Sequence, residues 1–300
     1  TSFRKHTPAQ SKPESLIYMA ARIGDLLLLE ELLKDSDINT VNSSKETLLH
    51  VAAENGHLSI AELLIQKGAR LDLQNDAGHT ALHRAASRGH TELMKTLVKA
   101  GAEPGVTDRL GRTALHWAAF SQVDSCVVDL LLSAKADPDA TDNEKKTPLH
   151  LAAMEGKVDV AISLLSHRAK RRARDMDGST PLHYAAAGGH VSVVTALLQP
   201  LNNKGTEDRN AWRKTPLHAA AEKGHDSVAL RLLEAGAKIN ATDHNKDTPL
   251  HCAARGGHHK VMKILVNWGQ AGNVGWRNKA NLSPRPLEKD CRISKIIKQD

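Results

Sequence analysis

Apolar positions in this 300-residue chain fall into short helical patterns that come in pairs, with polar turns between the pairs. In the first stretch of each pair a threonine precedes Leu and Ala residues spaced three and four apart, and a glycine follows nine residues after the threonine in six of seven cases: Gly56, Gly89, Gly156, Gly189, Gly224 and Gly257. The second stretch, seen at 59–67 and 228–234, repeats the three-and-four spacing and predicts a second amphipathic helix. Gly68, Gly101, Gly236 and Gly269 release the chain from these second helices. Turn-rich clusters then follow, such as Asp108-Arg109-Leu110-Gly111, Asp175-Met176-Asp177-Gly178 and Asp243-His244-Asn245-Lys246.

One phrase keeps register through all of this. It reads Thr47-Leu48-Leu49-His50, Thr80-Ala81-Leu82-His83 and Thr113-Ala114-Leu115-His116, and then Thr-Pro-Leu-His from Thr147, Thr180, Thr215 and Thr248. Subtracting successive threonine numbers gives steps of 33, 33, 34, 33, 35 and 33. A fixed period of this size means supersecondary units stacked in a line, each burying its apolar face against its neighbours. The residue types suit the positions. Threonine caps a helix by accepting from a first-turn N–H. Proline is tolerated at the first helical position, where the missing N–H needs no partner. Glycine ends a helix in the left-handed conformation that other residues adopt at a cost.

On this phrase and period the chain resembles the ankyrin-repeat family over about residues 15–300. The resemblance implies an all-α solenoid of stacked helix-turn-helix units joined by β-hairpin-like fingers. It predicts about seven full repeats, at 42–74, 75–107, 108–141, 142–174, 175–209, 210–242 and 243–277, within one repeat domain. A capping repeat at 15–41 carries the template as Ser15-Leu16-Ile17-Tyr18-Met19-Ala20-Ala21 with Gly24 at its end, a degenerate cap follows at 278–300, and residues 1–14 form a flexible N-terminal segment. Two repeats depart from the template. The Thr113 repeat has Gln122 for glycine and an extra residue near Asp124-Ser125; the Thr180 repeat carries the insertion 199–205, whose Pro200 should end its helix early. Looser stacking is expected at both.

Composition narrows the function classes. Hydrophobic residues make up 40% of the chain but aromatics only 3%, which fits closely packed Ala and Leu helices better than a large globular core. The three cysteines, Cys126, Cys252 and Cys291, are odd in number and unevenly spaced, arguing against a disulfide framework and for a reducing compartment. No segment reaches the roughly 20 apolar residues of a membrane span, and the polar start has no signal-peptide run. The expected setting is the cytoplasm, with the nucleus as a second compartment. The first residue is Thr rather than Met, as expected of a piece of a longer chain. The net charge of +7 mildly favours acidic partners.

Seventeen histidines raise the question of metal or acid–base chemistry. Seven belong to the repeated phrase, and five (His57, His90, His190, His225 and His258) directly follow a helix-ending glycine. Phrase histidines one repeat apart would lie roughly 10 Å from each other, too far to share a zinc ion. The family resemblance gives them a structural job, hydrogen bonding to backbone near the hairpins. Phosphate-loop, nucleophile-elbow and Cys-x-x-Cys patterns are missing from the sequence. Cys252 sits at a usually apolar helix position. The chain therefore reads as non-catalytic, needing neither cofactor nor metal.

The resemblance also implies partner contacts on the finger tips, at four, three and one residues before each threonine, and on the first helix, at four, seven and eight residues after it. Those positions carry Arg109, Leu110, Arg112, Trp117, Phe120, Met154, Met176, Tyr184 and Trp212, a concentration of the Arg, Met and aromatic types enriched in interfaces. The competing reading for Trp117 and Tyr184 is that they replace a half-buried leucine. The expected function is a scaffold or adaptor that takes a partner protein segment, acidic or extended or helical, on its concave face. A second reading makes the chain the recognition arm of a larger signalling protein. A third is charge-led binding of nucleic acid, phosphoinositide or an acidic peptide through Arg168, Lys170, Arg171, Arg172 and Arg174, a cluster that could equally be an import signal or a solvated turn. Asn39 and Asn240 sit in hairpin contexts similar to family sites of asparagine hydroxylation.

Overall fold

Every one of the seven repeated threonines stands at a helix N-cap with extended backbone. In each, the threonine N–H donates to Nδ1 of the histidine three residues on, at 3.0–3.1 Å. The imidazole thus does what a Glu or Gln side chain does in a capping box. A backbone N–H can only donate, so Nδ1 is the acceptor and the ring hydrogen sits on Nε2.

The computed structural model describes residues 15–199 and 204–271, so the N-terminal segment 1–14, the cap expected at 278–300, Pro200, Trp276 and Cys291 lie outside the described residues. The chain forms two compact units, residues 1–109 and 110–300. The first contains α1 (Leu16–Ile23), α2 (Leu26–Leu32, closed by a 3-10 turn), α3 (Leu48–Asn55), α4 (Leu58–Gln66), α5 (Ala81–Arg88) and α6 (Thr91–Lys99). The second contains α7 (Ala114–Phe120), α8 (Ser125–Ser133), α9 (Pro148–Glu155), α10 (Val158–Ser166), α11 (Pro181–Gly188), α12 (Val191–Leu198), α13 (Pro216–Lys223), α14 (Asp226–Glu234), α15 (Pro249–Arg255) and α16 (His259–Ala271). No strand occurs among the described residues.

Within the first unit α1, α3 and α5 pack in a row, and α4 packs on α6. Within the second, α7, α9, α11, α13 and α15 make the front row, with α8, α10, α12, α14 and α16 behind. Alanine pairs such as Ala118-Ala119, Ala152-Ala153 and Ala185-Ala186 are completely buried, and Leu115, Leu149, Leu164 and Leu232 fill the space between the rows. Small residues on the front helices let backbones approach closely, which is why so few aromatics are needed.

Between pairs, the chain makes a finger. The residue five before the threonine is Asn or Asp: Asn42, Asn75, Asp142, Asp175, Asn210 and Asp243. Its backbone N–H closes the turn onto the carbonyl four residues on, at 2.9–3.1 Å. Its side-chain oxygen accepts from the N–H groups two and four residues on. Short Asx side chains reach their own backbone in this way. Neighbouring fingers share one backbone hydrogen bond each, as from Asn143 to Leu110, Met176 to Glu144, Ala211 to Asp177 and His244 to Trp212, at 2.8–2.9 Å.

Several left-handed positions carry no glycine: Lys45, Lys135, Lys145, Arg168, Arg213 and Lys246 all have φ between 57° and 66°. Lys135 follows α8 where Gly68, Gly101 and Gly236 follow their own helices, with open space around each of those glycines. Lys135→Gly should therefore stabilise its unit by about 0.5–1 kcal/mol, the strain relieved exceeding the added freedom of the unfolded chain. A denaturant midpoint that stays put or falls would show that the left-handed turn is unstrained.

Two kinds of histidine link join neighbouring repeats within each unit. The phrase histidine donates from Nε2 to the carbonyl just before the next threonine: His50 to His79 at 2.7 Å, His116 to Lys146 at 3.0 Å, His150 to Ser179 at 3.0 Å, His183 to Lys214 at 2.9 Å and His218 to Asp247 at 3.0 Å. In the first repeat Tyr18 occupies that slot, and its hydroxyl donates to the carbonyls of Thr40 and Glu46 at 2.8 and 2.9 Å. The second link is the histidine after the helix-ending glycine. Its Nε2 donates to a last-turn carbonyl of the preceding front helix, as His57 does to Arg22, His190 to Met154, His225 to Ala187 and His258 to Glu222, at 2.8–2.9 Å. The ring packs closely against the glycine of that preceding repeat.

The two irregular repeats behave differently. Where Gln122 replaces the glycine, the following repeat has Lys157 in place of the histidine; its Nζ is buried without a hydrogen-bond partner, and burial lowers its pKa. An open notch of about 510 Å³ lies between them, lined by Gln122, Cys126, Gly156 and Lys157 among others. The rows stay packed across it, α7 against α9 and α8 against α10, so the looser stacking expected here does not extend to the helices. In the Thr180 repeat α12 stops at Leu198, one residue short of the nine in α8, α10 and α14.

Candidate functional site

The finger tips and the outward positions of the front helices are the surfaces left over once the rows have packed. In the second unit they are unevenly filled. Arg112, at the base of its finger, places its guanidinium 5.2 Å from the Trp117 ring centre and 5.5 Å from that of Phe120. The two rings, on one face of α7, meet edge-on at 6.1 Å. Arg112 Nε also lies 3.5 Å from Asp142 Oδ2, a buried carboxylate belonging to the next finger. These contacts hold the cluster in place while leaving Phe120 36% exposed.

One finger on, Lys146 Nζ lies 5.5 Å from the Tyr184 ring, whose edge packs against His150 at 5.9 Å. The Tyr184 hydroxyl donates to Asp175 Oδ2 at 2.6 Å, and burial, followed by that carboxylate, pushes its pKa far above the ordinary phenol value. Tyr184 thus offers a partner its ring and not its hydroxyl. Both Trp117 and Tyr184 are half-buried. Met176 and Trp212, on finger tips, are 65% and 50% exposed, and Leu110 is 53% exposed. Met154 on α9 is half-buried, and Arg109, exposed, is the last residue of the first unit. The cluster brought together is Arg112, Trp117 and Phe120, with Tyr184, Met176 and Trp212 on the repeats that follow it.

The same positions in the first unit are filled with charges that satisfy one another. Arg84 reaches Glu46 at 2.6 Å and Glu54 at 3.1 Å, and Arg88 reaches Glu54 at 2.8 Å.

The basic cluster 168–174 has partners. Arg172 makes a two-pronged contact with Asp208, which is buried, and Arg174 lies 3.5 Å from the same carboxylate. Arg174 also donates to the carbonyls of Gly178 and Arg209 at 3.1 and 2.7 Å, and Arg171, half-buried, donates to Ala196 at the end of α12 at 3.0 Å. These arginines brace the irregular connection after α12, and Arg168 and Lys170 stay exposed. Asn39 accepts from the Arg70 N–H at 2.9 Å through its side-chain oxygen, as Asp139 does from Lys170 at 2.8 Å, while Asn240 is exposed.

Burial holds the pKa values of His50, His150, His183 and His218 below the ordinary histidine value, with both ring nitrogens already hydrogen-bonded. Cys252 is buried, which pushes its thiol up to about 11. The described residues contain no group of three His, Cys, Asp or Glu side chains placed to hold a metal ion, and no helix among them is long and apolar enough to cross a membrane.

The link from each post-glycine histidine to the preceding repeat's glycine escaped sequence reasoning. Its signal was present: the one full repeat without the glycine, which has Gln122, is followed by a repeat with Lys157 in place of the histidine.

Comparison with known proteins agrees with this architecture. A family model described as ankyrin repeats (3 copies) matches overlapping stretches from 16–108 through 201–277. Alpha-latrocrustotoxin-Lt1a of Latrodectus tredecimguttatus is 37% identical over 62 residues, 20% of this chain and 4% of the toxin. Alpha-latrotoxin-Lh1a of Latrodectus hasselti is 36% identical over 56 residues, 19% of this chain and again 4% of the toxin. The chain thus spans only a small fraction of the length of these relatives.

Proposed function

Because this chain belongs to the ankyrin-repeat family, whose members are typically non-catalytic protein-binding scaffolds, we propose that it binds a partner protein segment on the finger tips and front helices of the repeats that begin at Thr113, Thr147, Thr180 and Thr215. The observation that carries this is the exposure of Leu110 and Phe120 on the Thr113 repeat, Met176 on the Thr180 repeat and Trp212 on the Thr215 repeat of one unit. Internal contacts leave these apolar and aromatic side chains substantially exposed, and exposed groups of this kind mark docking surfaces. The ion network of Glu46, Arg84, Glu54 and Arg88 gives the first unit's equivalent positions no such character. The engagement of Arg171, Arg172 and Arg174 in bracing contacts supports protein binding over the charge-led reading.

Phe120→Ala combined with Trp212→Ala is expected to weaken binding of cross-linked or co-purifying partners on the order of 100-fold, as expected for two central hot-spot residues. The melting temperature should be nearly unchanged, since both side chains are exposed. If a folded double variant keeps every partner, the site has been misplaced.

A further inference from the structure

Resting on that reading, we propose that the partner is an extended segment carrying acidic residues interleaved with apolar ones, laid along the finger crest of the second unit. The crest alternates in character. Leu110 is followed one finger on by Glu144, paired to Lys146, and Lys145, then by Met176 beside the exposed Asp177, and then by Trp212 beside Arg213. The backbone hydrogen bonds between neighbouring fingers make this row continuous.

Charge decides the partner's chemistry. Lys145, Arg213 and Lys246 are exposed, sit at left-handed turn positions, and make no ion pair among the described residues. In the first unit the matching Lys45 has Asp76 at 3.7 Å. Most carboxylates near the crest are already committed: Asp142 to Arg112 and its own finger, Asp175 to the Tyr184 hydroxyl, and Glu144 and Glu222 to Lys146 and Lys214. The ring faces are committed as well. Arg112 covers Trp117 and Phe120, and Lys146 covers Tyr184, so the cation that an aromatic cluster would attract is supplied by the chain itself. A lysine or arginine of a partner would meet like charge here and find the rings occupied. A carboxylate would meet three unpaired cations and the guanidinium edge of Arg112.

Spacing adds a constraint. Lys145 and Arg213 stand two repeats apart, roughly 20 Å at helix-packing distance, which an extended chain covers in about six residues. Acidic residues about six apart, with an apolar residue between them for Met176, match the crest.

A displayed library of random 16-residue peptides, selected on the whole chain, tests this. Enriched peptides should be net negative, carry apolar residues between the acids, and lose at least 30-fold in affinity against a folded Lys145→Glu, Arg213→Glu, Lys246→Glu variant. Neutral or basic enriched peptides, acidic peptides indifferent to that variant, or no enrichment at all would overturn the proposal. Peptides lost with Phe120→Ala and Trp212→Ala but unaffected by charge reversal would sink the acidic-partner inference and leave the docking face standing. Peptides unaffected by either variant would overturn both.

Discussion

Lowering the pH from 7 to 5.5 is expected to remove up to about 4 kcal/mol of stability from the unit of residues 110–300. Its buried phrase histidines His150, His183 and His218 have folded pKa values held below that of the unfolded chain. The neutral ring is the folded form, because Nδ1 must accept from the threonine N–H. The stabilisation is fully present above the unfolded value of about 6.5 and drains away as the pH drops toward the depressed folded value. Each ring protonated only in the unfolded state contributes about 1.4 kcal/mol per pH unit within that window. All four tryptophans come after residue 110 in the sequence, and the described ones, Trp117, Trp212 and Trp268, belong to this unit, so denaturant unfolding followed by tryptophan fluorescence reads it selectively. His150→Gln should reduce the pH slope by about a third. A midpoint that does not move between pH 7 and 5.5 would mean that the rings keep their partners when charged.

Gly189→Ala is expected to cost about 3 kcal/mol. The glycine has φ 74°, and a Cβ there would stand 2.5 Å from Nδ1 of His225, whose other nitrogen is bonded to Ala187. The alanine would bring left-handed strain, an overpacked contact and the disturbance of a hydrogen bond that ties α11 to the next pair. Gly236→Ala separates these causes: φ is 91° there, but nothing lies within 4 Å of the added carbon. It should cost about 1 kcal/mol from backbone strain alone. Equal losses for the two would show that the histidine yields freely and that the link it makes is unimportant.

The helices, their order and the finger turns were legible because each is specified locally. A threonine cap, a three-and-four apolar spacing and a helix-ending glycine act within ten residues of one another. The exposure of Phe120, Met176 and Trp212 was legible for the same reason, since register within the repeat decides which side chains face out. What the sequence concealed acts between repeats. The template aligns Tyr18 with the phrase histidine of a repeat that has Ser15 for threonine, but it does not disclose the bonds that the Tyr18 hydroxyl makes to the carbonyls of Thr40 and Glu46. The basic run 168–174 read as free charge because Asp208, which answers Arg172 and Arg174, lies 36 residues beyond Arg172. Tyr184 read as an interface or packing residue, and its bond to Asp175 binds it to its own finger.

The tyrosine at the start of the array has a consequence for how the first unit comes apart. Burial, followed by the charge of Glu46, pushes the Tyr18 phenol up to about 12, so it keeps its proton and remains a donor from acid to mild alkali. His50, one joint further in, gives up its neutral form when acidified. Acid should then sever the second joint while the outermost one holds, opposite to the fraying from the ends that a row of identical clasps would undergo.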